Sequence, residues 1–152
     1  MRVPVADAVA ELEASGLRGR GGAGFPFSRK LATAARRGAT VVVTLSEGEP
    51  ASLKDAVLAL TRPHLILDGA AASALTVGAK QVHVVLPGEH PQVADAIRRA
   101  LAERRDRGIA WRTHVAGSRW GPGDERAAAA CRLATLRRTR AVPRTAARTD
   151  LP

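Results

Sequence analysis

The sequence predicts an α/β fold, a parallel sheet flanked by helices with a disordered basic tail, and three observations carry that reading. Strand-like runs at 40–45, 82–86 and 109–115 alternate with longer segments whose apolar residues recur at helical spacing. Strands separated by helices imply parallel pairing through right-handed crossovers. The 152 residues are 45% hydrophobic, enough for one modest core, and with only 3% aromatic residues and no Tyr that core must be packed from Ala, Val and Leu.

The elements follow in order. Pro4, Val5, Ala8, Val9 and Leu12 have helical spacing, with Pro in a permitted first-turn position and Gly16 as the stop. Residues 19–24 hold four glycines in six positions, a density that no helix or strand interior tolerates cheaply, so this is a loop. A helix is predicted over 28–37, then the β-branched run 40–45 as a buried strand. Pro50 opens a helix through Leu60, the pair Arg62-Pro63 breaks it, and an Ala-rich helix over 64–77 closes at Gly78. The strand 82–86, a helix over 91–107 and the strand 109–115 complete the domain. Residues 117–123 are loop-like, 127–136 has helical character, and 137–152 has almost no large apolar residue, which is the composition of disorder.

The net charge of +10 raises the question of nucleic acid, but fourteen arginines lie from Arg98 onward and the rest of the chain is much closer to neutral. The basic tail lacks interleaved aromatics and any recognition fold, so no specific nucleic-acid partner is expected. Cys131 is the only cysteine, which excludes an internal disulfide and a thiolate metal site, and fits a reducing, cytoplasmic setting. No run approaches the ~18 apolar residues of a membrane span, so direct membrane insertion is not expected, and residues 1–15 lack the basic flank and apolar run of a signal peptide. His64, His83, His90 and His114 are widely spaced and suggest no metal set. Trp111, in a strand pattern, reads as core.

Two clusters carry chemistry. In Gly16-Leu17-Arg18-Gly19-Arg20-Gly21-Gly22-Ala23-Gly24-Phe25-Pro26 the missing side chains let backbone N–H groups converge on an anion, and Arg20 and Lys30 add positive charge. Residues 19–24 satisfy G-x-G-x-x-G, but a dinucleotide fingerprint follows a strand, and here a helix precedes it. A basic hinge is the alternative. The second cluster, Thr44-Leu45-Ser46-Glu47-Gly48-Glu49-Pro50, leaves the end of the first strand, where ligands of open parallel sheets collect. Ser46 and Glu47 can simply cap the helix that Pro50 begins, which is the reading these residues favour on their own.

Taken together, these runs, with Lys30 four residues after Pro26, Lys54-Asp55 after the Glu-Gly-Glu-Pro and Arg62-Pro63-His64-Leu65 behind, resemble the flavoprotein subunit of respiratory complex I, a module shared with NAD-dependent hydrogenases and formate dehydrogenases. Agreement in order and spacing runs from about residue 14 to 115. The resemblance implies an FMN-binding α/β domain that accepts a hydride from NADH, with Gly19, Arg20, Gly21, Gly22, Gly24, Lys30, Thr44 and Ser46 around the flavin nucleotide. It places Phe25, Glu47 and Glu49, with Glu125 as a poorer match, toward flavin and NADH. No protein nucleophile or catalytic base is required, because the site has only to stack two rings and hold two phosphate tails apart. No metal ligand is assigned.

The chain also departs from that pattern. Thr44 and Ser46 stand where relatives carry Asn and Asp, Leu31 replaces an aromatic, and Gly123-Asp124-Glu125-Arg126-Ala127-Ala128 is a weak counterpart of Gly-Glu-Glu-Thr-Ala-Leu. The resemblance covers only the first part of such a protein, so no iron–sulfur cluster is expected in this chain and iron–sulfur electron-transfer subunits are the expected partners. The expected organisation is an N-terminal helix and lead-in over 1–18, a partial FMN-binding domain over 19–130 and a disordered basic tail over 131–152. The tail's Arg, Ala, Thr and Pro content is also what a GC-rich gene gives when translated out of register. The rival reading is a non-catalytic remnant or binding module whose tail contacts an acidic partner.

Overall fold

The computed structural model describes residues 5–19, 23–35, 38–45, 47 and 52–116. Its elements run α1 (Val5–Ala14), α2 (Phe27–Ala34), β1 (Val41–Thr44), α3 (Lys54–Thr61), α4 (Pro63–Val77), β2 (Gln81–Pro87), α5 (Pro91–Glu103) and β3 (Ala110–Ala116). The three strands form one parallel sheet in the order β1-β2-β3, as the alternation of elements predicts. Val41 pairs with Val82 and Thr44 with Val85, while Gln81 pairs with Ala110 and Pro87 with Ala116.

Both crossovers step in the same direction along the sheet, so crossovers of one hand lay their helices on one face. The packing agrees. Val82, Val84 and Leu86 of the central strand join Leu67, Ala70 and Ala74 of α4 and Val93, Ile97 and Ala100 of α5 in one apolar cluster. Leu31 of α2 and Ala56 and Ala59 of α3 enter the same cluster, and Leu12 of α1 packs against it. Alanines at the contact let the helices approach the sheet closely. Leu67, Leu86 and Ile97 are fully buried, each worth roughly 1.5–3 kcal/mol of apolar burial.

Several boundaries differ from the sequence expectation. The helix expected to open at Pro50 begins at Lys54, because the carboxylate of Glu47 meets the N–H groups of Asp55 and Ala56 there. The expected helix 91–107 ends at Glu103. Arg104 turns extended (φ −85°, ψ 155°), and its guanidinium binds Asp106 and Asp68. The second helix ends at Ala34 instead of residue 37, with Ala35 extended, and residues 36 and 37 lie outside the described residues. At Arg62 the chain breaks as expected, Pro63 takes the first turn of α4, and Gly78 ends that helix in the left-handed region (φ 72°). The expectations for 117–152, including the tail and Glu125, also lie outside the described residues.

Candidate functional site

The glycine-rich segment joins helix to helix, from α1 to α2, and not strand to helix. Its two arms are tied together. Arg18 and Pro26 form an antiparallel bridge, the Gly19 N–H donates to the Phe25 carbonyl at 2.9 Å, and the Phe27 N–H donates to the Leu17 carbonyl at 3.0 Å. Arg18 also reaches the Gly24 carbonyl at 3.4 Å, and Gly24 sits at φ 52°, where a side chain would be strained. The base of the loop is therefore a fixed ring of backbone hydrogen bonds. At its end Phe25 stands 53% exposed. Arg20, Gly21 and Gly22 lie outside the described residues, as do Ser46 and Glu49.

Lys30 is exposed in the first turn of α2, and its ammonium makes no ion pair among the described residues. Thr44 is the exposed last residue of β1, at the carboxyl edge of the sheet, and the Leu45 N–H prolongs the ladder to the Val85 carbonyl at 2.9 Å. Glu47 is committed more firmly. One carboxylate oxygen accepts from the Asp55 N–H at 2.6 Å and the Ala56 N–H at 3.2 Å, and the other meets the Lys54 ammonium at 2.9 Å. Its carboxylate thus caps α3, from farther back along the chain than an N-cap residue does. Burial pushes the Glu47 pKa up, but the Lys54 bond and the two backbone N–H groups outweigh it and hold the carboxyl below its ordinary value. The Glu47 bond in turn raises Lys54. Among the described residues no hydrogen bond joins Lys30, Thr44 and Glu47 to one another.

The sequence reading left the histidines unassigned, and the fold brings two together. His83 is 3% exposed, its Nδ1 lies 2.8 Å from Nε2 of His114, and the rings stack with centroids 4.9 Å apart. The register predicts this meeting: His83 lies opposite Arg112, and His114 follows two residues later on the same face. Only the strand pairing could have shown it. Trp111 is half-buried; its indole N–H donates to Asp106 at 2.9 Å and its ring lies beneath the Arg104 guanidinium.

A sequence description of the Nuo51 FMN-binding domain matches residues 12–149. The chain belongs to that family. Among its relatives, a component of the NADH-quinone oxidoreductase of Rhizobium meliloti is 36% identical over 106 residues, covering 67% of this chain and 25% of the relative. The corresponding component of the NADH-quinone oxidoreductase of Aquifex aeolicus is 32% identical over 100 residues, covering 64% and 24%. The chain thus spans about a quarter of the length of the curated relatives it matches. A solved structure of an NAD+-reducing [NiFe]-hydrogenase in the H2-reduced state superposes with a TM-score of 0.58 at 29% identity, over 74% of this chain and 21% of that one. Its air-oxidised counterpart gives 0.54 at 33% identity, over 72% and 20%.

Proposed function

We propose that this chain is the FMN-binding module of an NADH-oxidising flavoprotein. The observation that carries the reading is the glycine segment of a Nuo51-family chain, pinned at its base and followed at once by an exposed aromatic and a lysine with no ion pair among the described residues. Those side chains fit a flavin nucleotide. Lys30 has its charge uncommitted, Phe25 offers a ring face, and Thr44 offers a hydroxyl at the edge of the sheet where ligands of parallel sheets collect. Gly19, Gly21, Gly22 and Gly24 would allow close backbone approach, with Arg20 and Lys30 toward the phosphate and Ser46 beside Thr44. The flavin, when bound, supplies the hydride-accepting chemistry.

Phe25 would stack the nicotinamide nucleotide and Glu49 would face it. Glu47 contributes by holding the loop between β1 and α3, since both its oxygens are occupied there. The exits for electrons, on iron–sulfur partner subunits, belong to the same proposal. The test is flavin binding by the full chain. FMN fluorescence should be quenched on binding, FMN should be preferred over FAD because the loop suits one phosphate, and Arg20→Glu should abolish binding by placing like charge against that phosphate. NADH should reduce the bound flavin slowly. Equal affinity for FAD, or no flavin bound at all, sinks the reading and leaves the binding-module alternative.

A further inference from the structure

We infer that the outer edge of β3 is a pairing surface for a second copy of this chain, joined strand to strand across a two-fold axis. β3 comes last in the sheet, and no described strand lies beyond it. β2 is buried along almost its whole length, whereas Ala110, Arg112, Thr113 and Val115 of β3 are exposed. An open edge of seven residues without proline is a template for another strand.

The register decides which groups this edge offers. The Ala110 N–H donates to the Lys80 carbonyl at 2.9 Å, so Ala110, Arg112, His114 and Ala116 turn their backbone groups toward β2. Trp111, Thr113 and Val115 turn theirs outward. The side chains of the same three residues lie on the helix-bearing face, in register with Val82, Val84 and Leu86, yet Val115 is 57% exposed. A second copy matches this pattern. Antiparallel pairing centred on Thr113 sets Thr113 opposite its counterpart and Trp111 opposite Val115 of the other copy, so that each outward N–H meets an outward C=O. It also places hydroxyl beside hydroxyl and an aromatic ring beside the exposed valine, pairs that stabilise antiparallel strands. Arg112 falls beside His114 of the other copy, which brings no like charges together while the imidazole is neutral. The chain's own remainder is a poorer occupant: a parallel fourth strand needs a crossover of about a dozen residues or more, and 117–152 holds no β-branched run like that of β1 or β2.

The inference makes no use of the flavin reading. The full chain is followed at pH 8 by sedimentation velocity and amide exchange as its concentration is raised. Its mass should double, and the amides of Trp111, Thr113 and Val115 should become protected along with it. Thr113→Pro removes an outward donor and leaves the ladder to β2 intact, and Val115→Lys puts a charge on the edge. Each should raise the dimerisation midpoint about tenfold or more, as the loss of a hydrogen-bonded pair does. Val115 is exposed, so its variant tests the edge even if Thr113→Pro perturbs folding. Val57→Lys, on the exposed side of α3, should leave dimerisation unchanged. With Cys131→Ser in the background, a short bifunctional thiol reagent should join Thr113→Cys chains, whose Cα atoms come about 5.5 Å apart in such a pair, and should not join Val115→Cys chains. A monomer at every concentration overturns the inference, whether its outward amides exchange freely or are protected by the chain's own tail. So does a dimer that Val57→Lys abolishes, one that survives both β3 variants, or one that is cross-linked through Val115→Cys instead.

Discussion

A carboxylate that accepts two backbone N–H groups on one oxygen and an ammonium on the other has most of its acceptor capacity committed, and Glu47 is in that position. Replacing it with Ala should cost about 1 kcal/mol, the usual loss of a helix cap; the measurement is the urea midpoint of the variant against wild type. Because the folded-state pKa of Glu47 lies below its ordinary 4.5, its contribution is present above that pH and lost as pH falls through the folded value. His83 acts in a separate window. Burial, then the neighbouring His114 and Arg112, lower its pKa from 6.5, so the unfolded chain binds the proton more readily. Stability should therefore fall as pH drops from 6.5 toward the folded value and be indifferent to His83 above it. Thermal melts at pH 7.5 and 5.5 should show the drop, and His83→Gln should flatten it.

Helix ends were where local pattern misled, and at the start of α3 and the end of α5 a side-chain contact between segments decided the boundary. The run 91–107 is helical in character to its end, yet Arg104 leaves the helix to bind Asp106 through two bonds, of 2.6 and 2.9 Å, and Asp68 of α4 at 2.7 Å. That guanidinium is only 12% exposed and lies over Trp111, so it joins α4, the end of α5 and the start of β3. Arg104 holds the Asp106 carboxyl below its ordinary value, with the Trp111 N–H assisting against burial. Arg104→Ala should cost about 2–3 kcal/mol by leaving Asp106 largely buried without its counter-charge, measurable as a lowered denaturation midpoint. Asp106→Asn, which keeps acceptor capacity for Trp111, should cost less. The strands and the Arg62-Pro63 break were legible because β-branched runs and a fixed proline φ act locally; the start of α3 and the end of α5 were not, because they depend on contacts made after folding.

At the scale of the molecule, parallel pairing was readable from the alternation of elements and an aliphatic core from the composition, and so was the glycine segment as a connector between helices. The histidine pair was not, since it depends on which residues the sheet register brings together over 31 positions; capping by Glu47 was readable, but not that its carboxylate reaches 8 and 9 positions ahead to do it. The consecutive order β1-β2-β3 contains no reversal of direction among the described strands, so the usual crevice at a switch point is absent there.

One contact restricts this edge further. A Cβ built on Gly88, just past β2, would run into the carbonyl oxygen of Ala116, so the backbones leaving β2 and β3 lie close together. Gly88 is exposed, and its backbone is not in the left-handed region. Accessibility, the ordinary guide to which positions accept substitution, therefore fails here: a saturation scan should find Gly88 as intolerant as an interior residue. Gly88→Ala should cost about 1–3 kcal/mol, the range for forcing atoms into filled space, with amide exchange speeding up first along β3.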